Sequence, residues 1–225
     1  MNKSFRRSWI ARSIAALSLS AAGSALASPG GGHVYTMTNE AAGNSVMVFT
    51  RGEDGVLSFH DRFPTGGMGS GGGLGNQAGL VLVGEGDRLI AVNAGSNEVS
   101  VFRIAGDDLI LRSIVPSGGD RPVSVTVHEG LVYVLNAGGA GSITGFEGSD
   151  GGELSPIEGS TRGLSGADVT AAAQVGFSPD GRFLVVTEKA TNLIDVFLMH
   201  EDGTPADAVV QASVGATPFG FSFTS

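Results

Sequence analysis

The sequence predicts an all-β fold, a β-propeller of about four four-stranded blades. Three observations lead there. Glycine supplies 37 of 225 residues, and each glycine inside a helix costs about 1 kcal/mol relative to alanine, so a mostly helical chain is excluded. One short motif recurs four times, at spacings of 54, 43 and 52 residues. Each recurrence carries the strand and turn signals of a four-stranded sheet, which matches a propeller blade in length and strand count. A β-helix needs a much shorter period, and a sandwich does not repeat its motifs. The glycines lack the three-residue period of collagen.

Residues 1–27 precede the repeats and are expected to be a signal peptide. Lys3, Arg6, Arg7 and Arg12 give a basic start, Ser13 to Leu26 a modestly apolar run, and Ala25-Leu26-Ala27 a small-x-small cleavage site. The run is too short and too rich in Ser and Gly to span a bilayer stably. Arg6-Arg7-Ser8-Trp9-Ile10 also has the form of a twin-arginine signal. Either route predicts a periplasmic or secreted protein with no membrane insertion after the signal is removed.

The propeller domain is expected over 28–225, with blade units near 34–63, 79–115, 123–157 and 175–214. The recurring strand is Tyr35-Thr-Met-Thr-Asn39, Leu89-Ile-Ala-Val-Asn93, Val132-Tyr-Val-Leu-Asn136 and Leu184-Val-Val-Thr-Glu188. A second strand follows and ends at Phe49, Phe102, Phe146 or Phe197. Opening strands precede three of the units, at Gly79 to Val83, Val123 to Val127 and Val175 to Ser178. Fourth strands are expected at Val56 to Phe63, Leu109 to Val115, Leu154 to Ile157 and Ala208 to Val214, after polar turns.

The first unit lacks an opening strand, while Pro218 to Thr224 copies one; compare Gln174-Val-Gly-Phe-Ser178. Two readings follow. Strand 218–224 closes a four-blade ring beside strand 34–38, or the chain is an open arc from a larger, about seven-bladed propeller. An open arc exposes strand edges and blade flanks and is expected to self-associate through them.

Composition excludes several functions. With no Cys there are no disulfides, thiolate zinc sites or cysteine nucleophiles, and His33, His60, His128 and His200 are too scattered for metal ligation. No metal and no cofactor are expected. Of 13 basic residues, 4 lie in residues 1–27, leaving 9 against 22 acidic ones, a net charge of −13. Such a surface repels phosphate backbones, so nucleic acid is not an expected partner. Gly67-Met-Gly-Ser-Gly-Gly72 fits a dinucleotide fingerprint only formally, since no helix pattern follows it. No Gly-x-Ser-x-Gly elbow is present. The Asp-Gly turns at 54, 150, 180 and 202 are strand connections rather than calcium loops.

Strand alternation places the loops before each first strand and after each second strand on one face. These are 64–78, 116–122, 158–173 and 215–217, with 39–45, 93–98, 136–142 and 188–192. Their charged residues include Glu40, Glu98, Arg121, Glu158, Arg162, Asp168, Glu188 and Lys189. Hydrolysis at a carbonyl needs a base for water and a cation or N–H donors for the oxyanion. Glu188 or Glu40 fits the base, Arg121 or Lys189 the anion partner, and Asn76, Gln77 and Gln174 orienting amides for a ligand. The competing assignment makes Glu188 a turn residue in the Asn position, with Arg121 and Lys189 paired to carboxylates at the rim. Asn39, Asn93 and Asn136 are expected to form turns by bonding their own backbone.

The chain resembles the secreted β-propeller lactonase family, the 6-phosphogluconolactonase-like and carboxymuconate-cyclase-like proteins related to YVTN-repeat propellers. The likeness rests on Val34-Tyr-Thr-Met-Thr-Asn-Glu40, Gly73-Leu-Gly-Asn-Gln-Ala-Gly79 and Leu89-Ile-Ala-Val-Asn-Ala-Gly-Ser-Asn97. It rests also on Pro116-Ser-Gly-Gly-Asp-Arg-Pro122, Tyr133-Val-Leu-Asn136 and Phe177-Ser-Pro-Asp-Gly181. It covers nearly all of 34–225. The resemblance implies a lactonase-type hydrolase acting on a small lactone or sugar-acid-like ligand, and about seven blades in full-length members. The alternatives are a non-catalytic propeller that binds a small ligand or protein through its loop face, and an inactive truncated remnant.

Overall fold

A computed structural model describes residues 32–224, so the expected signal peptide at 1–27 lies outside the described residues. The described residues form strands and no helix, in four antiparallel sheets. Blade 1 contains β1 (Gly32–Met37), β2 (Ser45–Arg51) and β3 (Leu57–Pro64). Blade 2 contains β4 (Leu80–Val83), β5 (Arg88–Asn93), β6 (Glu98–Ala105) and β7 (Asp108–Pro116). Blade 3 contains β8 (Pro122–His128), β9 (Leu131–Asn136), β10 (Ser142–Gly148) and β11 (Leu154–Pro156). A two-residue strand, β12 (Arg162–Gly163), joins blade 3 on β10. Blade 4 contains β13 (Ala172–Phe177), β14 (Phe183–Glu188), β15 (Leu193–Leu198) and β16 (Val209–Ala212). The molecule is a partial β-propeller of four blades.

The period of two along each strand decides where its side chains go. In β9, Leu131, Tyr133 and Leu135 pack toward blade 4, against Val175, Phe177, Leu184 and Phe197. The alternate residues Val132 and Val134 pack toward blade 2, against Ile90, Val92 and Val101. In β5 the same split sends Leu89 and Ala91 to Val46 and Val48 of blade 1. Both of these strands are therefore buried on both faces, with an uninterrupted apolar run at Leu89 to Val92 and Leu131 to Leu135. The outer blades are buried on one face only. Tyr35 and Met37 of β1 pack on blade 2, whereas Val34 and Thr36 between them are exposed.

Two expectations are corrected. The segment 158–173 is not wholly loop, because Arg162 and Gly163 pair with Ile143 and Ser142 of β10. Residues 218–224 join no ladder, and no strand pairing links them to β1 among the described residues. The Gln174 carboxamide instead donates to the Phe221 carbonyl (3.2 Å) and accepts the Phe221 N–H (3.0 Å). The Thr187 hydroxyl donates to the Phe219 carbonyl (2.6 Å). Side chains thus occupy backbone groups that a new strand would need.

One close approach within a blade is at Gly145 in β10. A Cβ there would lie 2.5 Å from the ring of Tyr133, which is fully buried and donates its hydroxyl to the Gly203 carbonyl (2.7 Å). Gly145→Ala is expected to cost about 1–3 kcal/mol in denaturant unfolding through overpacking. Gly72→Ala, where open space surrounds the added methyl group, should stay within about 0.5 kcal/mol of the parent.

Candidate functional site

The loops at one end of the blades interlock. The Asn39 side chain donates to Ser70 (2.8 Å), Gly95 N–H donates to Met68 O (2.9 Å), and Asn97 donates to Asp120 (2.9 Å). Ala190 N–H donates to Thr170 O (3.1 Å). The loops before the first strands and after the second strands therefore share one face. Beneath it runs a cavity of about 560 Å³, lined by the innermost strands of three blades. Val81, Val125, Val175 and Phe177 give it apolar walls, and Phe221 and Phe223 border it.

Residues 74–78 cross the loop-face end of these strands. Leu74 packs into the cores on both sides of blade 3. Asn76 donates its side-chain amide to Val123 O, Gln77 N–H donates to Ala173 O (3.0 Å), and Ala78 O accepts from Val125 N–H (2.9 Å). Lys189 donates its ammonium to Gly75 O and lies 5.0 Å from the centre of the Phe219 ring. Asn76, Gln77, Gln174 and Lys189 thus gather around segments 74–78 and 219–221. Of these, Gln174 borders the cavity, and Asn76 and Gln174 spend amide groups on backbone atoms.

Arg121 enters from the loop between blades 2 and 3. Its φ is +54°, and its backbone is fixed by N–H donation to Asn97 Oδ1 (2.8 Å) and by the Ala137 N–H on its carbonyl (2.9 Å). The arginine and Lys189 feel one another: burial holds the lysine below its ordinary pKa, and the Arg121 charge adds to this. Glu40 stays apart on blade 1, ion-paired with Arg62 at 2.6 Å. It is not brought to the two cations.

Glu188 sits at the end of β14 and is fully buried. Its carboxylate accepts the Ser165 N–H (3.0 Å), the Ser165 hydroxyl (2.8 Å) and the Thr191 hydroxyl. Burial raises its pKa, but the donors from Asp195, Thr191 and Ser165 outweigh that and hold it below the ordinary value. Three donors and burial thus enclose the carboxylate. Asp195, in the middle of β15, is the residue that sequence reasoning missed. It is also fully buried, and burial, then its bond to Glu188, then the Glu188 charge, push its pKa up to about 8. Its signal was an acid in a strand interior, where the other units have Met47, Ser100 and Thr144.

The Asn positions also differ from expectation. Asn93 is fully buried and reaches across blades: it accepts from Asn44 (3.0 Å) and Thr65 (2.7 Å) and donates to Ser100 (2.8 Å). Asn136 donates to Ser117 O (3.3 Å). These amides bond neighbouring segments rather than their own backbone, because their strand ends are covered by the preceding loop. Among the described residues, no group of three or more His, Asp or Glu stands ready to hold a metal.

The family described as "Lactonase, 7-bladed beta-propeller" matches residues 85–225, more than half of the sequence. The chain belongs to this lactonase family. No curated protein matches the sequence. Among solved structures, a protein from Lactobacillus plantarum superposes with a TM-score of 0.66 at 21% identity, covering 80% of this chain and 54% of its own. A candidate 6-phosphogluconolactonase from Bacteroides fragilis gives 0.63 at 18% identity, covering 84% and 59%. A second, from Bacteroides uniformis, gives 0.57 at 19% identity, covering 85% and 71%. At these identities the likeness shows the fold. The lactonase-family chain spans little more than half the length of the first two structures.

Replacing Gln174 with Ala should free the segment that carries Phe221. Amide hydrogen exchange at Phe221 is expected to speed by about tenfold, the worth of roughly 1.4 kcal/mol of hydrogen bonding. Exchange in β9 should be unchanged.

Proposed function

We propose that this lactonase-family propeller is exported and takes a small anionic sugar acid, or its lactone, at the loop face. The reading rests on two cations on one loop face, Arg121 between blades 2 and 3 and Lys189 on blade 4, held at Gly75 O, whose charges act on one another, in a chain of net charge −9. Two neighbouring cations on an acidic protein attract and orient a carboxylate or phosphate. Held against a lactone carbonyl, they also stabilise the oxyanion that forms when water attacks. The ring oxygen leaves as an alcohol once protonated, and the attacking water gives its proton to solvent. Glu188 and Glu40 take no part as bases, the first enclosed by its donors and the second paired with Arg62.

That enclosure favours a second reading, binding of the sugar acid without turnover. Titration calorimetry with gluconate and 6-phosphogluconate, beside a rate assay with glucono-δ-lactone, separates the two. Binding with accelerated ring opening is expected; binding alone selects the second reading. Arg121→Ala and Lys189→Ala should each weaken binding about tenfold, the worth of a charge-assisted contact, and more salt should weaken it further. Parent-like affinity in both variants overturns the site.

Export rests on the first 27 residues. Mass spectrometry of the protein recovered from a secreting host is expected to show Ser28 as the first residue. An intact N-terminus overturns the signal-peptide reading.

A further inference from the structure

Three blades carry the same device at the end of the second strand, with different chemistry. In blade 2 Asn93 bonds Ser100, seven residues on, at 2.8 Å. In blade 3 Asn136 bonds Thr144, eight residues on, at 3.5 Å. An amide and a hydroxyl suit a buried place, since neither carries charge. Blade 4 puts Glu188 and Asp195 in these positions, seven residues apart and both fully buried. Two carboxylates in contact inside a protein do not both ionise.

The surrounding donors decide which one keeps the charge. Glu188 receives the Ser165 N–H, the Ser165 hydroxyl and the Thr191 hydroxyl. Neither oxygen of Asp195 receives a well-formed hydrogen bond among the described residues; its contacts are with Glu188 and, more weakly, the Ser165 N–H. A proton on Asp195 turns the Glu188 contact from repulsion into an O–H···O⁻ hydrogen bond, one of the stronger kinds.

No other charge compensates the pair. Strands β13 and β16, beside β14 and β15, contain no charged residue, and β14 and β15 contain only Glu188 and Asp195. On the adjoining loops, Lys189 is engaged at Gly75 O and Arg162 at Gly159 O (2.7 Å), Thr161 O (2.9 Å) and Asp207 (3.5 Å). Asp168 is exposed.

We infer that Glu188 and Asp195 form a proton-dependent clasp, in which one shared proton ties β15 to β14 and, through Ser165, to the loop that precedes β13. The inference stands apart from the lactone reading, because it concerns how the loop face is held and not what binds there. Its sign follows from linkage. Asp195 keeps its proton in the folded protein up to about pH 8 but loses it near pH 4 when unfolded. Between those values the folded protein holds one proton more than the unfolded chain, so its stability falls as pH rises. The contribution is complete below about pH 4 and gone above about pH 8. Glu188, held low, acts only below its ordinary range, where stability is lost as pH falls through its folded pKa.

The test compares denaturant unfolding from pH 5 to 9 for the parent and the double variant Glu188→Asn/Asp195→Ser, which rebuilds the blade 2 pair. Relative to the variant, the parent's folding equilibrium should drop about tenfold per pH unit from 5 to 8 and run parallel above. Curves parallel over the whole range overturn the clasp. Asp195→Asn, which keeps a donor toward Glu188 without a titrating proton, should fold and lose the pH slope; a parent-like slope in it also overturns the inference. Should neither variant fold, infrared spectra of the parent decide. A C=O stretch from a protonated carboxyl group at pH 6 that disappears above pH 9 is expected, and its absence at pH 6 overturns the clasp.

Discussion

Leu131, Tyr133 and Leu135 on one face of β9, and Val132 and Val134 on the other, meet different blades. The rest of the molecule depends on this face-to-face packing. A four-stranded antiparallel sheet this apolar has no stable isolated form, since burying one face leaves the other in water. Each inner blade therefore supplies half of two cores, and β9, like β5 after Arg88, becomes a run without a polar residue until its final Asn. Where a neighbour is lacking the pattern changes: β1 alternates between Tyr35 or Met37 inward and Val34 or Thr36 outward.

Packing faces together buries the strand ends on the loop side, and that creates a second requirement. Backbone and side-chain polar groups covered by the incoming loop must find partners there. Asn93, Asn44, Thr65 and Ser100 meet it in blade 2 with a closed set of bonds. Blade 4 meets it with carboxyl groups, which hold more strongly but depend on a proton. The same position in the repeat thus gives a neutral joint in one blade and a titrating one in another.

The loop face joins these two levels. Segment 74–78 is fixed to β8, β13 and Lys189, so the amides that looked available for a ligand hold the framework instead. In the proposed reading the framework presents charge. Arg121 is set by a left-handed backbone locked to Asn97, and Lys189 leaves the chain one residue after Glu188 turns inward. The enclosed carboxylate thereby fixes the base of a cation that faces the other way.

The sequence by itself determined the fold, because periodicity is a local property: strand alternation, Asp-Gly turns and the recurring Phe are each legible within a few residues. It also brought the functional loops to one face, since antiparallel strands must reverse direction. Tertiary structure decided which of the loop residues are free. Glu188 reads as a surface acid from its neighbours Lys189 and Thr191, and only the approach of Ser165 and Asp195 makes it a buried, saturated one. Gln174 and the strand-like run at 218–224 were each legible, but not that the amide would take Phe221's backbone groups and keep that run out of a ladder. Partners such as Ser165 and Phe221 come from segments 20 to 50 residues away, and no local pattern records which of them will meet.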